Sequence, residues 1–383
     1  WNTWQEIGYW SEHLIGQGVC YCPNTIRFYQ EWLKSRFAGD LDAINKAWNT
    51  RYAGWDAVVP ERSVKQQFCA QEIAWNFFMD NIQIARVLSE RAAVIRENDP
   101  LRRPVFSHKG GPVIGSAQDW TYARTQDFLG SSAYPAWGCD HSWDDLHARQ
   151  PYPRHAALLG EAWSKITLVF DYIRAANLPG APVWAAEFQG GPVSTGFQKG
   201  RPIDGADIRR WTLGVLGSGA TAVSYWVTRA EIMAMEMNGF SLLDSTGDSS
   251  PRLEEAGRIG RAINKYPDLF ARPTLVPAQV AILVSEWNYQ ATNLIGNATQ
   301  HVMYAMRGWH RLLWESGIPV DFLSLDDVAS RGGEYAALVL PFPLALDEPQ
   351  AAPLAAYVNA GGHLVSEACP GRITTDGFTP RGE

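Results

Sequence analysis

Two glutamates in this sequence stand where an acid could do chemistry. Glu6 closes the aromatic run Trp1-Asn-Thr-Trp-Gln-Glu6 just before Ile-Gly8, and Glu187 closes Pro182-Val-Trp-Ala-Ala-Glu187 ahead of Phe-Gln-Gly-Gly-Pro192. Both runs favour an extended strand, and both are stopped by glycine, so each acid reads as a strand-end residue. Indole walls such as Trp4 and Trp10 disfavour a carboxylate and raise its pKa, which suits a general acid near neutral pH, and their flat faces can stack on a pyranose. Two carboxylates across a sugar are what glycosidic cleavage needs: one protonates the leaving oxygen, and the other attacks the anomeric carbon or activates water. Taken alone, the first stretch fits a solvated loop glutamate beside core tryptophans as well.

The elements between the two acids must bring them together. Helical spacing predicts helices over 23–37, with a stripe at Ile26, Tyr29, Leu33 and Phe37, and over 41–48. A long helix is expected over 63–98, stopped before Asp99-Pro100, with Trp75, Phe77 and Phe78 in the core. Strands are expected at 103–108, ending in His108, and at 127–137, ending in Tyr134-Pro-Ala-Trp137. After a helix over 161–176 comes the strand of Glu187, then a helix over 207–216 and a last strand over 220–226, ending in Trp226. Strands alternating with helices form a parallel barrel, whose C-terminal face gathers the strand ends. His108 at such an end would bind a sugar hydroxyl or satisfy a loop carbonyl.

Beyond a helix over 247–265, residues 267–277 read as a boundary. Strands at 279–284, 320–324, 335–340 and 363–366 alternate with helices over 301–316 and 349–361, which makes an open α/β sheet with parallel strands. No dinucleotide fingerprint, phosphate loop or serine or cysteine nucleophile elbow is present, and the chemistry proposed for the two acids requires no cofactor.

Composition narrows the partners. The net charge of −7 argues against nucleic acid and anionic membranes, and no apolar run approaches the roughly 18 residues of a transmembrane helix. The 17 tryptophans exceed what a core needs and fit a cleft lined with stacking platforms. Five cysteines, odd in number and scattered, give no disulfide framework.

The set Trp-Gln-Glu-Ile-Gly, Cys20-Tyr-Cys22, Phe28-Tyr-Gln-Glu-Trp-Leu-Lys-Ser-Arg-Phe37, Leu41-Asp-Ala-Ile-Asn-Lys-Ala-Trp48 and Ala133-Tyr-Pro-Ala-Trp137 resembles the glycoside hydrolase family 42 β-galactosidases, in order along nearly the whole chain. The resemblance implies an α/β chain in two parts: a (β/α)8 TIM barrel over 1–272, entered at its fourth strand, and a flavodoxin-like α/β trimerisation domain over 273–383. It further implies that three strand–helix units precede Trp1 and that the family's chains continue past Glu383. The localisation is then unknown from this stretch and cytoplasmic by analogy, and the full-length protein would be a homotrimer. The implied activity is retaining hydrolysis of terminal β-linked sugars, β-D-galactosides first, with Glu6 as acid/base, Glu187 as nucleophile and no cofactor.

The same resemblance marks Gln5, Tyr52, His108, Tyr134, Trp137, Trp226 and Glu236 as substrate-contacting positions, with Tyr134 bonded to the nucleophile. Three positions depart from the family pattern: Gln5 stands for an Asn, no Trp lies eight residues after Glu187, and no His follows Glu236. They leave the reaction standing and open the sugar to a β-glucoside, β-xyloside or α-L-arabinopyranoside, or the site to a non-catalytic carbohydrate-binding relic. Cys20 and Cys22 would be the remnant of the family's structural zinc site, whose third cysteine is Thr25 here; two thiolates do not close a tetrahedral site.

Overall fold

The computed structural model describes residues 1–8, 20–60, 70–110, 118–136, 166–195, 198–199, 202–271, 274–293 and 299–375. By internal contacts the chain forms two units, one of 1–6, 103–113 and 126–277 and the other of 7–102, 114–125 and 278–383.

The first unit is built on a parallel sheet of β1 (Phe106–Lys109), β2 (Phe128–Ala133), β3 (Trp184–Gln189) and β6 (Ala222–Trp226), in the order β1-β2-β3-β6. A small antiparallel hairpin, β4 (Ser194–Thr195) with β5 (Gln198–Lys199), follows β3. Residues 1–4 run beside β1. Phe106 N donates to Trp1 O at 2.8 Å, Thr3 N to Phe106 O at 2.7 Å and His108 N to Trp4 O at 3.3 Å. The pairing there is a single parallel bridge, Asn2 with Phe106, rather than the full strand expected over 1–5. The strand expected from Arg103 likewise starts only at Phe106, because Pro104 has no N–H for a ladder.

Every residue of β1 and β2 is buried, as parallel strands covered on both faces require. Helices Leu168–Ala176, Gly205–Gly217 and Pro251–Lys265 follow β2, β3 and β6. The second is started by a reciprocal capping box between Asp204 and Asp207, and the third by Ser250 with proline in its first turn. Phe170, Phe188, Ile208, Trp211 and Val215 fill the layer between strands and helices. Gly130 on β2 is needed for this packing, since a Cβ there would lie 3.1 Å from the Ala186 side chain and 3.3 Å from that of His108.

In the second unit, helices Pro23–Arg36 and Leu41–Trp48 agree with the predicted ones, and the long helix runs from Ala70 to Asn98 through a π-helical stretch, Phe78–Gln83. Tyr29 meets Trp75 edge-on at 5.0 Å and Phe78 at 5.3 Å in a cluster that also buries Leu33 and Ile44. The unit's parallel sheet has the order β10-β9-β7-β8, from β7 (Val280–Val284), β8 (Val320–Ser324), β9 (Ala337–Leu340) and β10 (His363–Ser366). Leu283, Leu323, Leu338 and Leu354 form its core. Helices Thr299–Glu315 and Glu348–Asn359 match the expected ones; Glu286–Asn293, a helix with too weak an apolar face to read from sequence, does not figure among them.

Candidate active site

The C-terminal ends of the first unit's strands carry a compact group of polar side chains. Glu187 lies on β3 at 6% exposure, with Ser132 on β2 and His108 on β1 each at 3%. His108 Nε2 is 3.2 Å from Glu187 Oε2, and Ser132 Oγ donates to the same oxygen at 3.1 Å. The Tyr134 hydroxyl adds a third hydrogen bond to Glu187. Its ring stands edge-on to Phe240 at 5.4 Å. A register shift between Ser131 and Ser132 pairs Ser132 directly with Glu187, and such irregularities re-aim side chains at strand ends.

Glu6 enters from the segment beside β1. Its φ of 46° turns the chain sharply at the acid, and its carboxyl hydrogen-bonds Ser132. Gly110, just past β1, gives it room: a Cβ there would stand 3.0 Å from Glu6 Oε1 and 3.1 Å from its carboxyl carbon. Beyond β6, Trp226 Nε1 donates to Glu236 Oε2 at 3.3 Å, and the Trp226 carbonyl accepts from Gly190 N at 3.1 Å.

The two acids are pushed apart electrostatically. Burial, and then the neighbouring charge of Glu187, raise the Glu6 carboxyl above the ordinary range, outweighing the opposing hydrogen bond from Ser132. Burial pushes Glu187 up as well, but hydrogen bonds from His108, Tyr134 and Ser132 outweigh it and hold this carboxyl below the ordinary range. Burial and the Glu187 charge keep the Tyr134 phenol protonated. One acid shifted towards its protonated form beside another shifted towards its ionised form is the direction that acid-assisted nucleophilic displacement requires.

The structure thus gathers Glu6, Glu187, His108, Tyr134, Trp226 and Glu236 in one unit, with Gln5 exposed next to Glu6. The ring nitrogens of His108 meet Glu187 and, at 3.1 Å from Nδ1, the Asn2 amide, so the ring is held by side chains and not by a loop carbonyl. Tyr52 belongs to the second unit, where its ring packs with the cluster around Tyr29 and its backbone is held by the Asn45 side chain, with Tyr52 N donating to Asn45 Oδ1 at 2.7 Å. Trp137, Trp10 and Phe197 lie outside the described residues. Sequence reasoning missed Ser132 and Asn2; the only signal was a pair of serines in an otherwise apolar strand.

Cys20 and Cys22 lie with their sulfurs 3.4 Å apart and the Thr25 hydroxyl 3.3 Å from each. Hydrogen bonding with Thr25, and then with Cys20, lowers the Cys22 thiol to about 7. No group of three or more metal-ligating side chains occurs among the described residues, and two thiols with a hydroxyl do not fit a four-ligand zinc site. No helix among the described residues is long and apolar enough to cross a membrane.

Residues 10–266 match the family model of the glycoside hydrolase family 42 β-galactosidases, and 278–383 match that of the β-galactosidase trimerisation domain. The chain is 25% identical over 368 residues to β-galactosidase Pbg of Clostridium perfringens, covering 91% of this chain and 49% of that relative. It is 23% identical over 370 residues to β-galactosidase BgaA of a Planococcus species, with the same coverage of 91% and 49%. Among solved structures, a catalytic mutant of Gan42B, a family 42 β-galactosidase of G. stearothermophilus, superposes with a TM-score of 0.78 at 21% identity, over 96% of this chain and 52% of that one. The exo-carrageenase of the same family from Bacteroides ovatus gives a TM-score of 0.68 at 16% identity, over 94% of this chain and 48% of that one. These solved structures share the TIM-barrel fold. The chain spans about half the length of the curated relatives it matches.

Proposed function

The chain belongs to the glycoside hydrolase family 42 β-galactosidases, and from that membership we propose that it carries the catalytic centre of a retaining glycosidase acting on terminal β-D-galactosides. The observation that carries the reading is the opposite displacement of two neighbouring acids, Glu6 towards the protonated form and Glu187 towards the ionised one. Glu187 attacks the anomeric carbon while Glu6 protonates the departing oxygen, which leaves a glycosyl ester on Glu187. Ionised Glu6 then takes a proton from water, the water oxygen bonds to the anomeric carbon, and the ester bond to Glu187 breaks. Retention corresponds to carboxyl groups about 5 to 5.5 Å apart.

Around this pair, Tyr134 and His108 hold the nucleophile, while Gln5, Trp226 and Glu236 face the sugar. We take 1–272 as the catalytic part and 273–383 as the trimerisation-type part, a division the two family matches support, and the full-length protein as a homotrimer. Another sugar on the same machinery is the second reading, favoured by Gln5 in place of the family's shorter amide, since an amide one methylene longer shifts its hydrogen bond on the sugar. The test is turnover by the full-length protein of aryl β-galactoside, β-glucoside, β-xyloside and α-L-arabinopyranoside, with Glu187→Gln alongside. Turnover of the galactoside that disappears in the variant supports the reading; preference for another sugar corrects the substrate, and no turnover of any of them contradicts it.

A further inference from the structure

Ser132 stands between the two acids. Its hydroxyl donates to Glu187 Oε2 at 3.1 Å and is also hydrogen-bonded to Glu6, and at 3% exposure no bulk water competes for it. The β2–β3 register shift, which pairs Ser132 with Glu187, fixes this placement in the backbone. A serine hydroxyl has one proton to donate and rotates freely about its C–O bond, so it can serve only one carboxylate fully at a time.

On the mechanism proposed above, the negative charge changes place once per half-reaction. In the free enzyme it sits on Glu187. When Glu187 bonds to the anomeric carbon and the proton of Glu6 leaves with the aglycone oxygen, Glu187 becomes a neutral ester and Glu6 a carboxylate. When water attacks, its proton returns to Glu6 and the carboxylate reappears on Glu187. We infer that Ser132 is a positioning residue whose hydroxyl follows this charge, donating to Glu187 in the free enzyme and to Glu6 in the glycosyl-enzyme. It gives up no proton, so the balance of the two steps is unchanged.

The other groups around the pair cannot do this. His108, from β1, and Tyr134, after β2, give their hydrogen bonds to Glu187, with His108 favouring charge on Glu6 only across space, and Glu236, after β6, is an acid that repels charge on Glu6. Charge on either acid is favoured by a donated hydrogen bond, so loss of the hydroxyl raises the pKa of whichever carboxylate it was serving.

The inference rests on the double-displacement reading, and the experiment separates the two. In the full-length enzyme, the acid limb of kcat/KM reports Glu187 in the free enzyme; the acid limb of kcat on an activated aryl galactoside, with breakdown of the intermediate limiting, reports Glu6 acting as base. Ser132→Ala is expected to move both limbs upward by about one pH unit, and Ser132→Thr, which keeps the hydroxyl, to restore both. A shift of the kcat/KM limb alone would show a fixed partner of Glu187 and overturn the inference, as would no shift in either. If the unaltered enzyme turns over no glycoside, the underlying reading falls first, and this role with it.

Discussion

The carboxamide nitrogen of Asn2 lies 3.1 Å from His108 Nδ1, while His108 Nε2 lies 3.2 Å from Glu187 Oε2. An amide nitrogen only donates, so Nδ1 accepts and the ring proton sits on Nε2, aimed at the carboxylate. A residue of the segment beside β1 thereby sets the tautomer of a histidine that hydrogen-bonds the proposed nucleophile. Removing the ring in His108→Ala is expected to raise the acid limb of kcat/KM by about one pH unit, so that the loss in kcat/KM approaches about tenfold only on the acid side of that limb. A pH profile of the variant against the parent checks this; an unmoved acid limb would contradict it.

Gly110 leaves room for the acid. Gly110→Ala puts a methyl group 3.0 Å from Glu6 Oε1, at a backbone conformation that any residue adopts, so the fold is expected to survive while the acid moves. Displaced proton donation harms poor leaving groups most. The expected result is a loss of about tenfold in kcat/KM for an alkyl galactoside and of about twofold for a nitrophenyl one. Equal losses on both would contradict the placement of Glu6 as the proton donor.

The raised carboxyl of Glu6 has a cost in stability. A group whose folded pKa lies above its unfolded value contributes most below the unfolded pKa, near 4.5, and loses that contribution as pH rises through the folded one. At pH 7 the unfolded chain is therefore the more readily ionised of the two states, and Glu6→Gln, which cannot ionise, is expected to raise Tm by roughly 1–3 °C while abolishing turnover of poor leaving groups. Thermal unfolding at pH 7 and pH 4 checks the sign: the gain should shrink at the lower pH.

A second acid, half-buried and held by three hydrogen bonds, makes the other unit pH-sensitive. Glu286 accepts from Thr121 Oγ1 at 2.5 Å, Thr121 N at 3.1 Å and Asn81 Nδ2 at 2.9 Å. Burial nevertheless pushes its carboxyl up to about 7, with the nearby Asp119 charge adding to the rise. Stability from this group is complete below pH 4.5 and declines as pH rises through about 7, on the order of 3 kcal/mol in all. Unfolding of this unit is expected to occur at lower temperature at pH 8.5 than at pH 6, and Glu286→Gln should flatten that dependence. An unchanged slope in the variant would contradict it.

Much of this was legible in the sequence because strand-end acids and glycine stops are local signals. Glu187 lies on β3, two residues from its end, and the helices from Pro23 and Leu41 start as predicted because proline, Asp40 and their apolar stripes are all local. What was not legible depends on register. The bond from Ser132 to Glu187 arises from a one-position slip between β2 and β3, which no pattern within either strand announces. The strand end of His108 is legible, but its hydrogen-bonding neighbours Asn2 and Glu187, 106 and 79 residues away, are not. The helix from Glu286 was missed because its polar side chains reach inward: Asn288 donates to Phe342 O at 2.8 Å and accepts from Ala345 N at 2.9 Å, so burial here follows hydrogen bonds and not hydrophobic periodicity.

The most direct test of the central claim is to trap the covalent intermediate. Full-length enzyme is treated with an aryl 2-deoxy-2-fluoro-β-galactoside, digested, and the labelled peptide located by mass spectrometry. A single fluorosugar ester on Glu187, absent from Glu187→Gln, is the result this account predicts. Turnover of the unfluorinated galactoside with no labelled peptide, and with the inverted anomer as first product, would contradict it.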